Sequence, residues 1–202
     1  MKVQYAPVKR AADLTAASAL TILTAPVQLA VGIAVLVTMG RPVFFRQFRP
    51  GKDGDVFELL KFRTMATPKP GLEEDADRLT PLGRLLRSTS LDELPSLWNV
   101  IRGDMSLVGP RPLLPDYLTL YNARQARRHE VRPGITGLAQ VSGRNLVSWA
   151  DRLEMDVQYV DRVSAKLDAK ILIATVSTVL SRRGVSGDGV ATMSRFTGQD
   201  AT

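Results

Sequence analysis

The 202-residue sequence contains no cysteine and only one histidine. Disulfides and thiolate metal sites are thereby excluded, and any bound metal must be held by oxygen ligands. The lack of cysteine also fits a domain facing the cytosol, without requiring it. Neither an internal repeat nor a low-complexity segment is present, and the length suits one compact domain with a sizeable core. Acidic charge is the scarcer sign. Twenty Asp and Glu face 27 Lys and Arg, for a formal net charge of +7. An anionic partner is expected, with phosphate-bearing substrates, anionic lipid and nucleic acid as the candidates.

Charge is also missing locally. Residues 14–39, LTAASALTILTAPVQLAVGIAVLVTM, contain no ionisable side chain. The run is too long for a signal peptide and does not end in a small-x-small cleavage site. As one straight helix it would measure roughly 39 Å, more than the ~30 Å hydrocarbon core needs. Pro26 lies at its midpoint, where it removes a backbone donor and kinks a helix. Cations flank both ends: Lys2, Lys9 and Arg10 before, Arg41, Arg46, Arg49 and Lys52 after. A spanning helix would carry that excess on its cytoplasmic side only. A helix–break–helix hairpin that returns to the same face accounts for both features. A bitopic span with a tolerated proline remains the alternative.

In the polar remainder, residues 42–49 and 56–63 are apolar-rich runs separated by Asp53-Gly54, which predicts a β-hairpin. Residues 66–78 read as a mobile loop. Thr80 followed by Pro81 marks the start of a short helix through Leu86. Ser90 and Glu93 match a capping box. Residues 113–130 are expected to form one long basic amphipathic helix with Leu114, Tyr117, Leu118 and Tyr121 on one face. Residues 131–145 read as a cation-bearing loop, followed by helices over 149–163 and 167–182. His129, among Arg127, Arg128 and Glu130, is expected at the surface.

The chemistry concentrates in residues 80–112, TPLGRLLRSTSLDELPSLWNVIRGDMSLVGPRP. Two adjacent carboxylates, Asp92 and Glu93, follow Arg84 and Arg87 and precede Arg111, which stands between Pro110 and Pro112. Such a pair among fixed cations suits work on a phosphate: the carboxylates can hold a divalent metal or attack phosphorus, and the arginines can bind phosphoryl oxygens. Acidic residues in a first helical turn also serve simply as caps, and that reading stays open here. Pro95 removes a donor in the second turn, and the flanking cations exceed what capping needs.

The segment SLDELPSLWNVIRGDMSLVGPRPLLPDY resembles the core signature of the bacterial sugar transferases, the monotopic phosphoglycosyl transferases, especially their small members made of the catalytic core alone. The likeness runs from about Lys9 to about Gly198. It implies an α+β fold: a helix-rich cytosolic domain with a short β-hairpin (41–202), anchored by an N-terminal re-entrant membrane helix–break–helix (1–40). Members often carry Ser-Pro at the break; this chain has Ala25-Pro26, so Thr24 or Thr21 is expected to supply the missing hydroxyl.

The same resemblance implies transfer of a phospho-sugar from a UDP-sugar to polyprenyl (undecaprenyl) phosphate with release of UMP, at the cytoplasmic face of the cell inner membrane. Asp92 is the implied nucleophile and Glu93 the implied Mg²⁺ ligand. Lys61 in KFRTM and Arg87 are implied to bind phosphate or pair with the dyad; from the strand pattern alone Lys61 reads as an edge charge. Arg111 suits a phosphate clamp or a structural ion pair. Arg132, Gln140 and Arg144 belong to RPGITGLAQVSGR, whose glycines permit close approach to an anion. Asp156 and Asp168 match acidic positions of the family and could equally cap helices or pair with arginines. The implied partners are the UDP-sugar, the polyprenyl phosphate and membrane lipids, with no nucleic acid. The tail GVSGDGVATMSRFTG resembles that of small members using UDP-linked N-acetylated amino sugars. Two other functions compete: a non-enzymatic membrane adaptor, which needs cations but no acidic dyad, and a hydrolase of nucleotide sugars.

Overall fold

An uninterrupted helix, α1 (Tyr5–Met39), opens the computed structural model, which describes residues 5–68, 75–143, 147–181 and 195–198. It starts nine residues before the uncharged run, so Lys9 and Arg10 lie within it rather than flanking it. The helical assignment continues through Pro26. Thr21 donates to Ala17 O at 2.8 Å and Thr24 to Leu20 O at 2.7 Å. Both hydroxyls thus bond carbonyls upstream, and not that of Ile22, the one Pro26 leaves without an i+4 donor.

Strands β1 (Phe44–Pro50) and β2 (Val56–Phe62) form the expected antiparallel hairpin, with Pro50 opposite Val56 and Phe45 opposite Lys61. Asp53 and Gly54 both adopt positive φ, and Asp55 N donates to Lys52 O at 3.1 Å, the pattern of a type I′ turn. The outer edge of β2 is closed by side chains. Ser96 donates to Leu60 O at 2.8 Å, and Asn99 bridges Leu60 N and Glu58 O at 3.1 and 2.8 Å. These bonds satisfy an otherwise open strand edge and dock the segment 91–102 across it.

That segment comprises a 3₁₀ turn, Leu91–Ser96, and α4 (Leu97–Arg102). Before it come α2 (Asp75–Arg78) and α3 (Pro81–Thr89), the latter capped by Thr80, whose hydroxyl accepts from Gly83 N at 2.9 Å. Gly83 is obligatory there: a Cβ would lie 1.8 Å from Thr64 O. Part of the expected loop 66–78 is therefore ordered, with Ala66 N donating to Arg78 O at 2.8 Å; residues 69–74 lie outside the described residues.

Two expectations need correction. Residues 113–130 do not form one helix; Pro115–Thr119 and Arg127–Glu130 are 3₁₀ turns around a short α5 (Ala123–Ala126). The reason is local: Asn122 and Gln125 build a full capping box that restarts the helix. The apolar face itself is as expected in part, since Leu114, Tyr117 and Tyr121 pack around Trp149, Leu153 and Phe196. Residues 131–145 are not all loop either. β4 (Gly134–Thr136) pairs in parallel with β3 (Ser106–Val108), and α6 (Leu138–Ser142) follows. Gly134 allows the close strand approach, because a Cβ would sit 2.1 Å from Gly109 N.

Helices α7 (Trp149–Arg162) and α8 (Ala165–Ser181) close the domain near the predicted positions. The result is helix-rich α+β, with two small two-stranded sheets among the described residues. Both ends of α1 are fastened to this domain. At its start, Tyr5 and Lys9 donate to Asp168 at 2.8 and 2.7 Å, Arg10 donates to Val100 O and Ile101 O at the end of α4, and Asp13 accepts from Ser106. At its end, Val31 and Val35 pack with Phe62 and Leu86, while the Arg63 guanidinium caps the Met39, Gly40 and Arg41 carbonyls. Between these anchors Ile22, Leu23, Val27 and Leu29 are exposed.

Candidate active site

Docking of 91–102 on the edge of β2 sets the dyad over the hairpin. Leu59 and Lys61 share one face of β2, and the turn Leu91–Ser96 carries Glu93 onto it. Lys61 Nζ lies 2.5 Å from Glu93 Oε1, and Arg111 Nη2 lies 3.0 Å from the same oxygen. Arg111 is held from behind. Arg128, almost fully buried, donates to the Arg111 carbonyl at 2.6 Å and to Asp156 Oδ2 at 2.7 Å. A pocket opens beside the dyad, lined by Arg49, Lys61, Glu93, Ser96 and Arg111 with Leu59 and Met105 as apolar walls.

The capping reading of the dyad does not hold. Ser90 has φ 57° and ends α3 in the left-handed conformation, and its side chain caps nothing. The Glu93 side chain turns to Lys61 and Arg111 instead. Asp92 is not held strongly acidic either. Burial, then the neighbouring Glu93 charge, pushes Asp92 up to about 6, against the pull of Lys61, Arg111 and Arg87. Glu93 goes the other way. Burial alone would raise it, but Lys61 and Arg111 more than offset that and hold it down at about 2. The dyad thus contains one firmly ionised carboxylate clamped by cations and one desolvated carboxylate beside it.

These features meet in one recognisable pattern. Residues 4–182 match the family model described as bacterial sugar transferase. The chain belongs to that family. It is 53% identical over 193 residues to the uncharacterized sugar transferase EpsL of Bacillus subtilis (strain 168), covering 94% of this chain and 96% of that one. It is 41% identical over 186 residues to the UDP-glucose:undecaprenyl-phosphate glucose-1-phosphate transferase of Caulobacter vibrioides, covering 86% of this chain and 70% of that one. A similarly named transferase of Klebsiella pneumoniae is 40% identical over 185 residues, covering 83% of this chain and 39% of that larger protein. A family of transferases leaves no place for the non-enzymatic adaptor.

The candidate site gathers some of the expected residues and not others. Lys61, Asp92, Glu93 and Arg111 come together, and Arg87 is close enough for its charge to act on Asp92 while its Nε bonds Thr64 Oγ1 at 3.1 Å. Asp156 is buried and engaged by Arg128, which in turn holds the Arg111 carbonyl. Asp168 anchors Tyr5, Lys9 and Tyr159, fastening α1 to α8. Arg132 is exposed and donates to Gly103 O at 2.7 Å. The Gln140 amide is buried without a partner among the described residues. Arg144 lies outside the described residues. His129 is a correction: it is only half-exposed and its Nδ1 lies 2.9 Å from Gly51 O.

A pocket cation escaped the sequence reading. Arg49 had seemed a membrane-flanking charge, yet it lines the pocket with Lys61 and Arg111. Strand alternation held the signal. Residues 45, 47 and 49 share a hairpin face with 57, 59 and 61 once the Asp53-Gly54 turn fixes the register.

Proposed function

We propose that this chain transfers a sugar phosphate from a UDP-sugar to a polyprenyl phosphate such as undecaprenyl phosphate, through a covalent intermediate on Asp92. The observation that carries the reading is the acidic dyad set among Lys61, Arg87 and Arg111, with Glu93 in the wall of a pocket and Asp92 next to it in the chain. An Asp92 carboxylate oxygen attacks the β-phosphorus; the bond from that phosphorus to the bridging oxygen breaks, and UMP leaves with its electron pair. An oxygen of the lipid phosphate then attacks the same phosphorus and frees Asp92, giving a polyprenyl diphosphate sugar. Burial suits Asp92 to the first step. A carboxylate with few water contacts is a better nucleophile, and a value near 6 leaves it mostly ionised at neutral pH. Arg111 and Lys61, locked by Glu93, offer fixed cations to the charge on the equatorial oxygens.

Magnesium fits this donor set. Both cations engage Glu93 Oε1, leaving Oε2, and Asp92 adds a second hard oxygen. Among the described residues no group of three or more potential ligands gathers. That suits an ion bound through one or two carboxylates and otherwise through water and substrate phosphate. When bound, the ion supplies charge neutralisation for two anions brought together.

The anchoring geometry supports a helix that enters and leaves the membrane on one, cytoplasmic, face. Residues 5–17 and 31–39 are tied to the same domain, which leaves residues 18–30. Thirteen residues reach about 20 Å, too short for a ~30 Å core. Single cysteines placed near residues 5 and 50 should both resist an impermeant thiol reagent in intact cells; labelling of either from outside would reject the one-face topology. For the sugar, the likeness of the tail favours an N-acetylated amino sugar, whereas the names of two relatives carry glucose.

A panel of UDP-sugars assayed for Mg²⁺-dependent UMP release, with and without undecaprenyl phosphate, tests the reaction and names the donor. Release that never needs the lipid over many turnovers would indicate a hydrolase. Intact-protein mass spectrometry without acceptor should show one phosphosugar adduct, mapped to residue 92. An adduct on Glu93 would reverse the roles.

A further inference from the structure

We infer that Arg49 is a phosphoryl-binding residue of the same pocket, receiving a phosphate oxygen of one of the two substrates together with Lys61 and Arg111. The inference rests on the transferase reading for the identity of those substrates, but its evidence is separate. Arg49 lies half-buried on the hairpin face it shares with Lys61, and its side chain lines the pocket beside Arg111. Its protein partners are neutral. Nη2 donates to Gln47 Oε1 at 2.5 Å, Nη1 reaches Pro112 O at 3.4 Å, and Nε is buried with no partner. No carboxylate among the described residues lies within ion-pair distance of it.

Charge counting sharpens the point. The pocket wall carries three cations, Arg49, Lys61 and Arg111, against the single carboxylate of Glu93. Burial and the nearby Arg111 charge together lower the Arg49 pKa to about 10. A desolvated guanidinium beside another is unfavourable until an anion arrives, and neutral carbonyls do not supply one. The planar fork of N–H donors suits phosphoryl oxygens. A purely structural role would use the contact to Pro112 O, which is at the limit of a hydrogen bond and leaves Nε unused.

The donor's diphosphate and the lipid's phosphate offer the same chemistry, so the test has two arms. Arg49→Gln and Arg49→Lys are compared with wild type, with thermal melts confirming the fold. One arm measures the single-turnover burst of UMP without acceptor as a function of donor concentration, whose half-saturating concentration stands in for KM, and the other measures steady-state transfer to polyprenyl phosphate. Loss of a charge-assisted bond should raise KM in Arg49→Gln roughly tenfold or more for the substrate it holds, with Arg49→Lys recovering part of it. A rise in the first arm assigns the donor; a rise confined to the second assigns the acceptor. Inorganic pyrophosphate, titrated by thermal shift, gives a readout independent of turnover, and its stabilisation of wild type should be lost in Arg49→Gln. A folded Arg49→Gln protein with wild-type KM for both substrates and an unchanged pyrophosphate response overturns the inference. So does an unfolded Arg49→Gln alongside an Arg49→Lys with wild-type constants. If wild type releases no UMP from any donor, the transferase reading fails, while the pyrophosphate arm still decides the anion site.

Discussion

The ion networks around Glu93 and around Asp156 use the same residue types and share Arg111, yet they leave different things open. Asp156 and Arg128 side chains are each 1% exposed, and the guanidinium spends its donors on Asp156, Tyr121 and the Arg111 carbonyl. Arg152 also acts on the Asp156 charge, and the Asp156–Arg128 pair is sealed from solvent. Around Glu93 the side chains of Lys61 and Arg111 are 17% and 40% exposed, two cations share one carboxylate oxygen, and Arg49 stands nearby without an acidic partner. The sealed network holds the backbone of Arg111 in place, and the open one presents its guanidinium. Access, rather than residue type, separates support from chemistry.

Three substitutions test that division. The largest effect is expected at the open site. Asp92→Asn preserves shape but removes the nucleophilic charge, and should lower UMP release by on the order of a thousandfold or more, ~4 kcal/mol in barrier. The fold should not suffer. Because burial raises the Asp92 pKa, its ionised form is disfavoured by folding, so the melting temperature of the variant should equal or exceed that of wild type. A well-folded Asp92→Asn protein with substantial turnover would reject the covalent mechanism.

At the sealed site the pattern should invert. Asp156→Asn leaves Arg128 buried without its counter-charge, a loss on the order of 3–5 kcal/mol in a urea melt. Turnover per folded molecule should fall far less than in Asp92→Asn, because Asp156 touches Arg128 and not the pocket. Equal stability with a collapsed kcat would place Asp156 in the chemistry and break the comparison.

Much of this arrangement was legible in the residues, for reasons that differ by element. The β1–β2 hairpin was readable because alternation and Asp53-Gly54 are both local signals. Helices α7 and α8 lie close to the expected 149–163 and 167–182, and Thr80-Pro81 marked the start of α3 correctly. The parallel β3–β4 pair was not readable: each strand has three residues, and their pairing depends on a long-range approach that only Gly134 and Gly109 permit. Residues 113–130 misled because amphipathic spacing persisted across a break imposed by Asn122. In the site, the dyad and its flanking cations stood out in sequence, but the direction of the Glu93 side chain did not. Ser90 and Glu93 match a capping box, and what overrides it is Lys61, thirty-two residues away. Arg49 was missed for the related reason that charge at a membrane boundary has an ordinary explanation.

The smallest and most discriminating effect is expected for Glu93→Gln. The amide keeps an oxygen in the place where Lys61 and Arg111 converge, so the clamp should loosen without collapsing. Removing the charge weakens two charge-assisted bonds and, if Glu93 also holds magnesium through Oε2, one metal contact. Turnover should fall roughly ten- to a hundredfold, and the Mg²⁺ concentration for half-maximal rate should rise. A neutral amide still coordinates a hard cation, so excess Mg²⁺ should restore part of the rate. The adduct on residue 92 should still form, more slowly. Two results would revise the assignment in different directions. An unchanged Mg²⁺ dependence with a raised KM for donor would make Glu93 a clamp for Lys61 and Arg111 alone. A loss as deep as that of Asp92→Asn, with no adduct, would mean that the two carboxylates act as one unit.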